Sequence, residues 1–309
     1  MTGTIPRRPF GKSGEDVSLL GVGGYHIGAF DEAESIQIIQ QAIDAGADFL
    51  DNAWEYNAGE SEVRMGKALA QEGYRKRSFL MTKDCAHDRI AAHSLLKLEN
   101  SLMRLKTDYL DLWQIHEVVW DDDVEKIFAP GGSAESLLKA KEQGKVRYIG
   151  FTGHKSPAIH KAMLSQGFPW DAVQMPLNAL DAHWESFERE IIPICQEQGI
   201  AIIGMKSFAS GHIFTSGSGV TPREALQYSM SLPIASLVSG MDTLKVLNQN
   251  LDAARDFVPL SAAEMDAIRA KTAPLASGGA LEPFKTADVF EGEEGRHAHN
   301  YPQKYAAAD

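Results

Sequence analysis

The sequence predicts an α/β protein built as a closed (β/α)8 TIM barrel, and three observations carry that prediction. Short apolar runs alternate with segments of helical periodicity through eight rounds. The connections from helix to strand are short, and several turn on a glycine. The 309 residues also exceed the roughly 250 that such a barrel needs. Strands alternating with helices give a parallel sheet with helices outside it. An open doubly wound sheet is the competing arrangement, but it calls for a GxGxxG turn after its first strand, which Gly21-Val22-Gly23-Gly24 matches poorly.

In chain order, Arg7 to Asp16 reads as a short N-terminal hairpin turning at Lys12-Ser13-Gly14. Residues 17–24 form the first strand, with glycines where backbone must approach something closely. A helix capped by Asp31 follows and stops at Gly46. The remaining strands are expected at 49–53, 78–83, 110–116, 146–151, 172–177, 200–206 and 235–240. Helices are expected at 61–72, 91–105, 134–143, 157–165, 184–198, 222–230 and 243–254, with a break near Pro193. Residues 117–132 read as a long loop in which Asp121-Asp122-Asp123 is solvated. Ser261 and Glu264 form a capping box for an extra helix. The chain is therefore expected to be one domain, residues 1–309. Its barrel spans about 17–254, and its C-terminal extension, about 255–309, packs over one face.

The composition excludes several classes of function. The net charge of −12 lacks the basic face of a nucleic-acid binder. No apolar run reaches the ~20 residues of a membrane span. Arg7-Arg8-Pro9-Phe10 faintly resembles a twin-arginine export signal, yet the charged segment after it is no signal-peptide core. Cys85 and Cys195 form no CxxC pattern, which fits a reducing compartment. A cytoplasmic protein is expected. Cys85 stands near a candidate pocket, and its plain reading is a small filler. His297 and His299 have a metal-like spacing without further ligands, and no metal is expected. Nothing in the sequence sets an oligomeric state.

Four polar residues stand where apolar runs stop. Asp51 ends the second strand, Tyr56 lies just beyond it, Lys83 ends the third and His116 ends the fourth. Active sites of this fold lie at the C-terminal ends of the strands, so the four can share one pocket mouth. An ammonium beside a phenol lowers its pKa. At ~4 Å and an effective dielectric of ~20 the effect is at most about 4 kcal/mol. Asp51 keeps Lys83 charged and His116 orients a substrate oxygen. Tyr56 so tuned can act as a general acid on a carbonyl oxygen. The hydride must come from a cofactor.

These residues resemble the aldo-keto reductase family. Asp51, Tyr56, Lys83 and His116 match its catalytic tetrad in order and spacing. GADFLD (46–51), GESE (59–62), GKVRYIG (144–150) and Val173-Gln174 are similar to its flanking patterns. The resemblance runs from Arg8 to Asn250. It implies a nicotinamide-dependent reductase of small carbonyl compounds, or the reverse alcohol dehydrogenase, with no metal. It also implies cofactor contacts at Gly24, Tyr25, Asp51, Thr152, Gln174, Met205, Lys206, Ser207, Gly240, Asp242, Gln249 and Asn250. Thr152 stands for the family's serine after strand five, and its asparagine is missing. Met205 stands for the tyrosine that usually stacks on the nicotinamide. Lys206 reaches a phosphate or serves as a second pocket cation. Asp242 suits ribose hydroxyls, and Val246 or Thr243 occupies the place of the arginine that grips a 2′-phosphate. NADP(H) is slightly favoured by family habit, with NAD(H) open. Tyr25, His26, Trp54, Tyr56, His116, Trp120 and Phe208 are expected in the substrate wall. Two further readings stay open: a cofactor-holding barrel that senses redox state, and a non-redox enzyme using Lys83 as a Schiff-base amine.

Overall fold

Period-two alternation along each strand decides which side chains fill the barrel. The computed structural model describes residues 3–71 and 73–302. Glu72, the expected end of the second helix, and residues 303–309 of the C-terminal segment lie outside the described residues. Strands β1 (Arg7–Pro9) and β2 (Asp16–Ser18) form the antiparallel N-terminal hairpin. The barrel strands are β3 (Leu20–Gly23), β4 (Phe49–Asp51), β5 (Phe79–Asp84), β6 (Leu110–Ile115), β7 (Val146–Thr152), β8 (Ala172–Pro176), β9 (Ala201–Met205) and β10 (Ser236–Gly240). All pair in parallel and in sequence order, and β10 closes the circle between β9 and β3. No helix among the described residues is long and apolar enough to cross a membrane.

Residues two apart share a face, so β4 and β5, which start with an apolar inward residue, end with an inward polar one. Phe49, Phe79, Met81, Leu112, Ile203 and Val238 belong to one buried cluster. Phe10 of the hairpin plugs it from below, 4.8 Å from the ring of Phe79 and 5.2 Å from that of Tyr148. Two residues further along the same face come Asp51 and Lys83. The outward residues pack against the helices in a second, larger cluster.

Three expectations need correction. Residues 17–24 are not one strand, because the run divides between β2 and β3. Ser18 makes the division: its hydroxyl donates to Leu20 O and accepts from the amides of Asp48 and Phe49, which pins the crossover from hairpin to barrel. The loop 117–132 contains a helix at Asp123–Phe128. Asp123 is not solvated; it is buried, takes a 2.7 Å hydrogen bond from Arg89 Nε and accepts from the amides of Val119 and Trp120. The break at Pro193 is present, as helices Phe187–Glu190 and Ile192–Gln198.

The capping box of Ser261 and Glu264 opens a helix over Ala262–Thr272. Beyond it the chain crosses the C-terminal mouth of the barrel. Buried Lys285 ties it down, donating to Asp181 Oδ1 at 2.7 Å, Glu282 Oε2 at 2.8 Å and Trp184 O at 3.0 Å. Lys155 and Arg296 hold Glu291, each at 2.5 Å. His299 is buried and stacks on Trp120 at 4.2 Å, whereas His297 is exposed.

Candidate active site

The end of β4 runs on along β5 before it turns. Asn52 N donates to Met81 O and Trp54 N to Lys83 O, which keeps residues 52–54 beside the neighbouring strand. A tight turn follows, with Asn57 and Ala58 both at φ 54° and Gly59 at φ 90°. That left-handed run reverses the chain into the helix Glu60–Leu69 and presents Tyr56 to the barrel axis. All four tetrad residues meet. Lys83 Nζ pairs with Asp51 Oδ1, donates to Asn52 O at 2.8 Å and lies 3.2 Å from the Tyr56 hydroxyl. The rings of Tyr56 and His116 are edge to face with centroids 5.6 Å apart.

A cleft of about 1190 Å³ opens above them. Of the expected cofactor and substrate residues, Gly24, Tyr25, His26, Trp54, Thr152, Met205, Lys206, Ser207, Phe208, Gly240, Asp242 and Gln249 line it. Three expected residues sit elsewhere. Trp120 is buried between His299 and Gly295, beneath the C-terminal segment. Asn250 is buried, with Nδ2 on Ser239 Oγ at 3.2 Å. Gln174 lies under the cleft floor and donates to Asp51 Oδ2 at 2.7 Å.

Sequence reasoning missed a polar network behind His116. Glu55 Oε1 is 2.9 Å from His116 Nδ1, and Glu55 Oε2 is 3.1 Å from His87 Nε2. Glu117 Oε2 is 3.8 Å from the same His87 nitrogen and accepts from Gly292 N at 3.1 Å. Cys85 Sγ also touches His116 Nδ1, at 3.1 Å, so it is more than filler. The signal was available. Glu55 precedes Tyr56, His87 follows Lys83 by four residues and Glu117 follows His116, all just past strand ends. Glu55, Cys85 and His87, and likewise Glu55, His116 and Glu117, bring their donor atoms within 4.8 Å of one another. Within these groups Glu55 pairs with His87 and with His116, while Glu117 accepts from Gly292 N and Cys85 contacts His116.

The electrostatics differ from expectation at Tyr56. Burial, and then the charges of Asp51, Glu55 and Glu117, hold its pKa well above 10. Lys83 does not win, because Asp51 already neutralises it and the remaining neighbours are acids. Tyr56 is therefore a firmly protonated phenol. Burial pushes the Glu55 carboxyl up, but hydrogen bonds from His116 and His87 outweigh it and hold it well below 4.5. Burial and the Glu55 charge push Glu117 up instead. Burial pushes the Cys85 thiol up, and Glu55 adds to it.

A nicotinamide cofactor fits these residues. Gln174 Oε1 is a buried acceptor beside Asp51 with no partner among the described residues, as a carboxamide would need. Thr152, Met205 and Ser207 line the cleft at the ends of β7 and β9, and Gly240, Asp242 and Gln249 continue it past β10.

Residues 19–219 match the model of the Aldo/keto reductase family. The aldo-keto reductase YhdN of Bacillus subtilis is 31% identical over 216 residues, covering 64% of this chain and 61% of its own length. The aldo-keto reductase yakc [NADP(+)] of Schizosaccharomyces pombe is 29% identical over 234 residues, 71% of this chain and 65% of its own. The chain thus spans about three fifths of the curated relatives it matches. The holo form of aldo-keto reductase AKR11C1 from Bacillus halodurans superposes with a TM-score of 0.73 at 26% identity, over 86% of this chain and 96% of that one. Closed barrel, tetrad and sequence similarity agree: the chain belongs to the aldo/keto reductase family.

Proposed function

We propose that this chain is a cytoplasmic, metal-independent, nicotinamide-dependent oxidoreductase that interconverts a small aldehyde or ketone and its alcohol. The observation that carries the reading is the 3.2 Å contact of the Tyr56 hydroxyl with Lys83 Nζ, beside His116, on the wall of the cleft. The bound cofactor would supply or take up the hydride. Gly24, Tyr25, Thr152, Gln174, Met205, Ser207, Gly240 and Gln249 would hold it.

Tyr56 is the proton donor in reduction and the acceptor in oxidation. Its environment keeps the proton on the phenol until charge develops on the substrate oxygen. Lys83 holds the phenol oxygen in place and carries the positive charge that favours proton release at that moment. A carboxylate only accepts, so Glu55 fixes a proton on His116 Nδ1 and leaves Nε2 for the substrate. Doubly protonated, His116 donates from Nε2 to a carbonyl; singly protonated, it accepts from an alcohol.

The lining past β10 favours NAD(H) over the NADP(H) suggested by family habit. It consists of Ser239, Gly240, Asp242, Val246 and Gln249, with no lysine or arginine among them. An acid there suits ribose hydroxyls and repels a 2′-phosphate. Calorimetric titration with NADH and NADPH, followed by turnover of a carbonyl panel, tests the reading. Tight cofactor binding without any turnover would move the assignment to a sensing barrel.

A further inference from the structure

The cleft holds a second ammonium that has no ion-pair partner among the described residues. Lys206 is the first residue past β9, and its backbone is at φ 55°, a left-handed conformation that a lysine adopts at some cost. That turn carries the side chain across the barrel mouth. Nζ lies 5.1 Å from the ring centre of Phe284 and 4.8 Å from that of Phe290. Among the described residues, no carboxylate is within ion-pair distance of it and no acceptor within hydrogen-bond distance. Other lysines of the barrel mouth are all engaged: Lys83 by Asp51, Lys155 by Glu291 and Lys285 by Asp181 and Glu282.

The acids nearby are already committed. Glu55 accepts from two imidazoles, Glu117 from Gly292 N, and Glu291 from Lys155 and Arg296. Burial pushes the Lys206 ammonium down to about 8; Glu117 opposes this and Lys83 adds to it. Burial and then Lys206 push His154 well below its usual range, so that imidazole is no second cation. Lys206 is thus a cation of the cleft that feels Glu117 at a distance but has no ion-pair partner among the described residues.

The position of Lys206 separates it from the adenosine end of the cleft. Phe284 O lies 2.7 Å from His154 Nδ1, which sets the aromatic pair over the loop after β7. The residues assigned to the far end of the cofactor, Asp242 and Gln249, follow β10 instead.

We propose that Lys206 anchors a carboxylate or phosphate carried by the substrate, so that the carbonyl compounds turned over here are anionic ones, such as oxo acids and the open-chain forms of sugar acids and sugar phosphates. This inference rests on the redox reading of the site. The two rings flank the ammonium and leave it half-buried at the cleft wall, where an anion would meet it with fewer competing waters than at an open surface.

The test is a matched pair of substrates, 4-carboxybenzaldehyde and 4-nitrobenzaldehyde, with wild type, Lys206→Met and Lys206→Arg. The wild type is expected to favour the carboxylated aldehyde in kcat/KM by about ten- to hundredfold, the worth of one charge-assisted contact. Lys206→Met should abolish that ratio through KM, and Lys206→Arg should restore most of it. A glyceraldehyde and glyceraldehyde 3-phosphate pair shows whether phosphate is the preferred anion. A wild-type ratio near one in both pairs, or a ratio kept by Lys206→Met, overturns the proposal. So does a matching loss of NADH and NADPH affinity in Lys206→Met, which would give the anion to the cofactor. Calorimetric titration of terephthalate into enzyme with oxidised cofactor separates the two readings. If no aldehyde is turned over, Lys206-dependent terephthalate binding keeps the anchor while the redox reading fails; Lys206-independent or absent binding removes the anchor.

Discussion

Glu55 Oε1 lies 2.9 Å from Nδ1 of His116, and the other oxygen of the same carboxylate holds His87 at 3.1 Å. On the proposed reading, one acid fixes the tautomer of the imidazole that faces the substrate. Glu55→Gln should lower kcat for carbonyl reduction by about ten- to hundredfold, the part of general acid–base catalysis that depends on the correct proton. Steady-state kinetics of Glu55→Gln, His116→Gln and the double variant check this. Strictly additive losses would show that the two side chains act independently.

Tyr56→Phe should lose about 10²–10⁴ in kcat while binding cofactor as the wild type does. Single-turnover kinetics beside calorimetry read the two quantities separately. Full activity in the variant would remove Tyr56 as the acid.

The Glu55–His87 pair should make stability depend on pH in a defined window. The Glu55 value is depressed below 4.5, so its contribution is complete above 4.5 and is lost as pH falls through the folded value. Burial pushes His87 down, but the hydrogen bond and charge of Glu55 outweigh it and raise the value above 6.5. Its contribution is complete below 6.5 and is lost as pH rises through the folded value. The gap in stability between wild type and His87→Asn should thus be widest between 4.5 and 6.5, at about 1–3 kcal/mol. Urea denaturation inside and on both sides of this window measures it.

Asp242→Ser removes the acid from the cofactor rim. The ratio of NADPH to NADH affinity should rise by about tenfold, or 1.4 kcal/mol. Competitive calorimetry decides it; an unchanged ratio would place Asp242 away from the ribose.

Lys285 is buried with Asp181 and Glu282. Lys285→Met strands two acids and should cost about 3–5 kcal/mol. Hydrogen exchange should show the loss concentrated in residues 282–300 rather than in the barrel strands.

The barrel and its tetrad were legible because both depend on short-range rules. Asp51 and Lys83 end strands whose alternation can be read directly, and parallel topology makes consecutive strands neighbours. Trp120 was misplaced because its position depends on His299, almost 180 residues away, on which it stacks. Asp123 read as solvated because its partner, Arg89, belongs to another loop. The pKa of Tyr56 runs opposite to expectation because burial raises it first, and because one cation was counted while three acids, one of them paired with it, were not. Pairwise reasoning along a sequence finds positions; the sign of a buried field needs every neighbour at once.

The match to the family model ends at residue 219, and Phe290, Glu291 and Gly292, well beyond it, form one wall of the cleft. Gly292 contributes a backbone amide to Glu117, and Phe284 and Phe290 flank Lys206. On the proposed reading, the reacting groups and the groups that select what reacts sit on separable stretches of one chain. Grafting residues 280–300 between relatives would exchange appetite for one molecule or another while leaving the chemical engine in place.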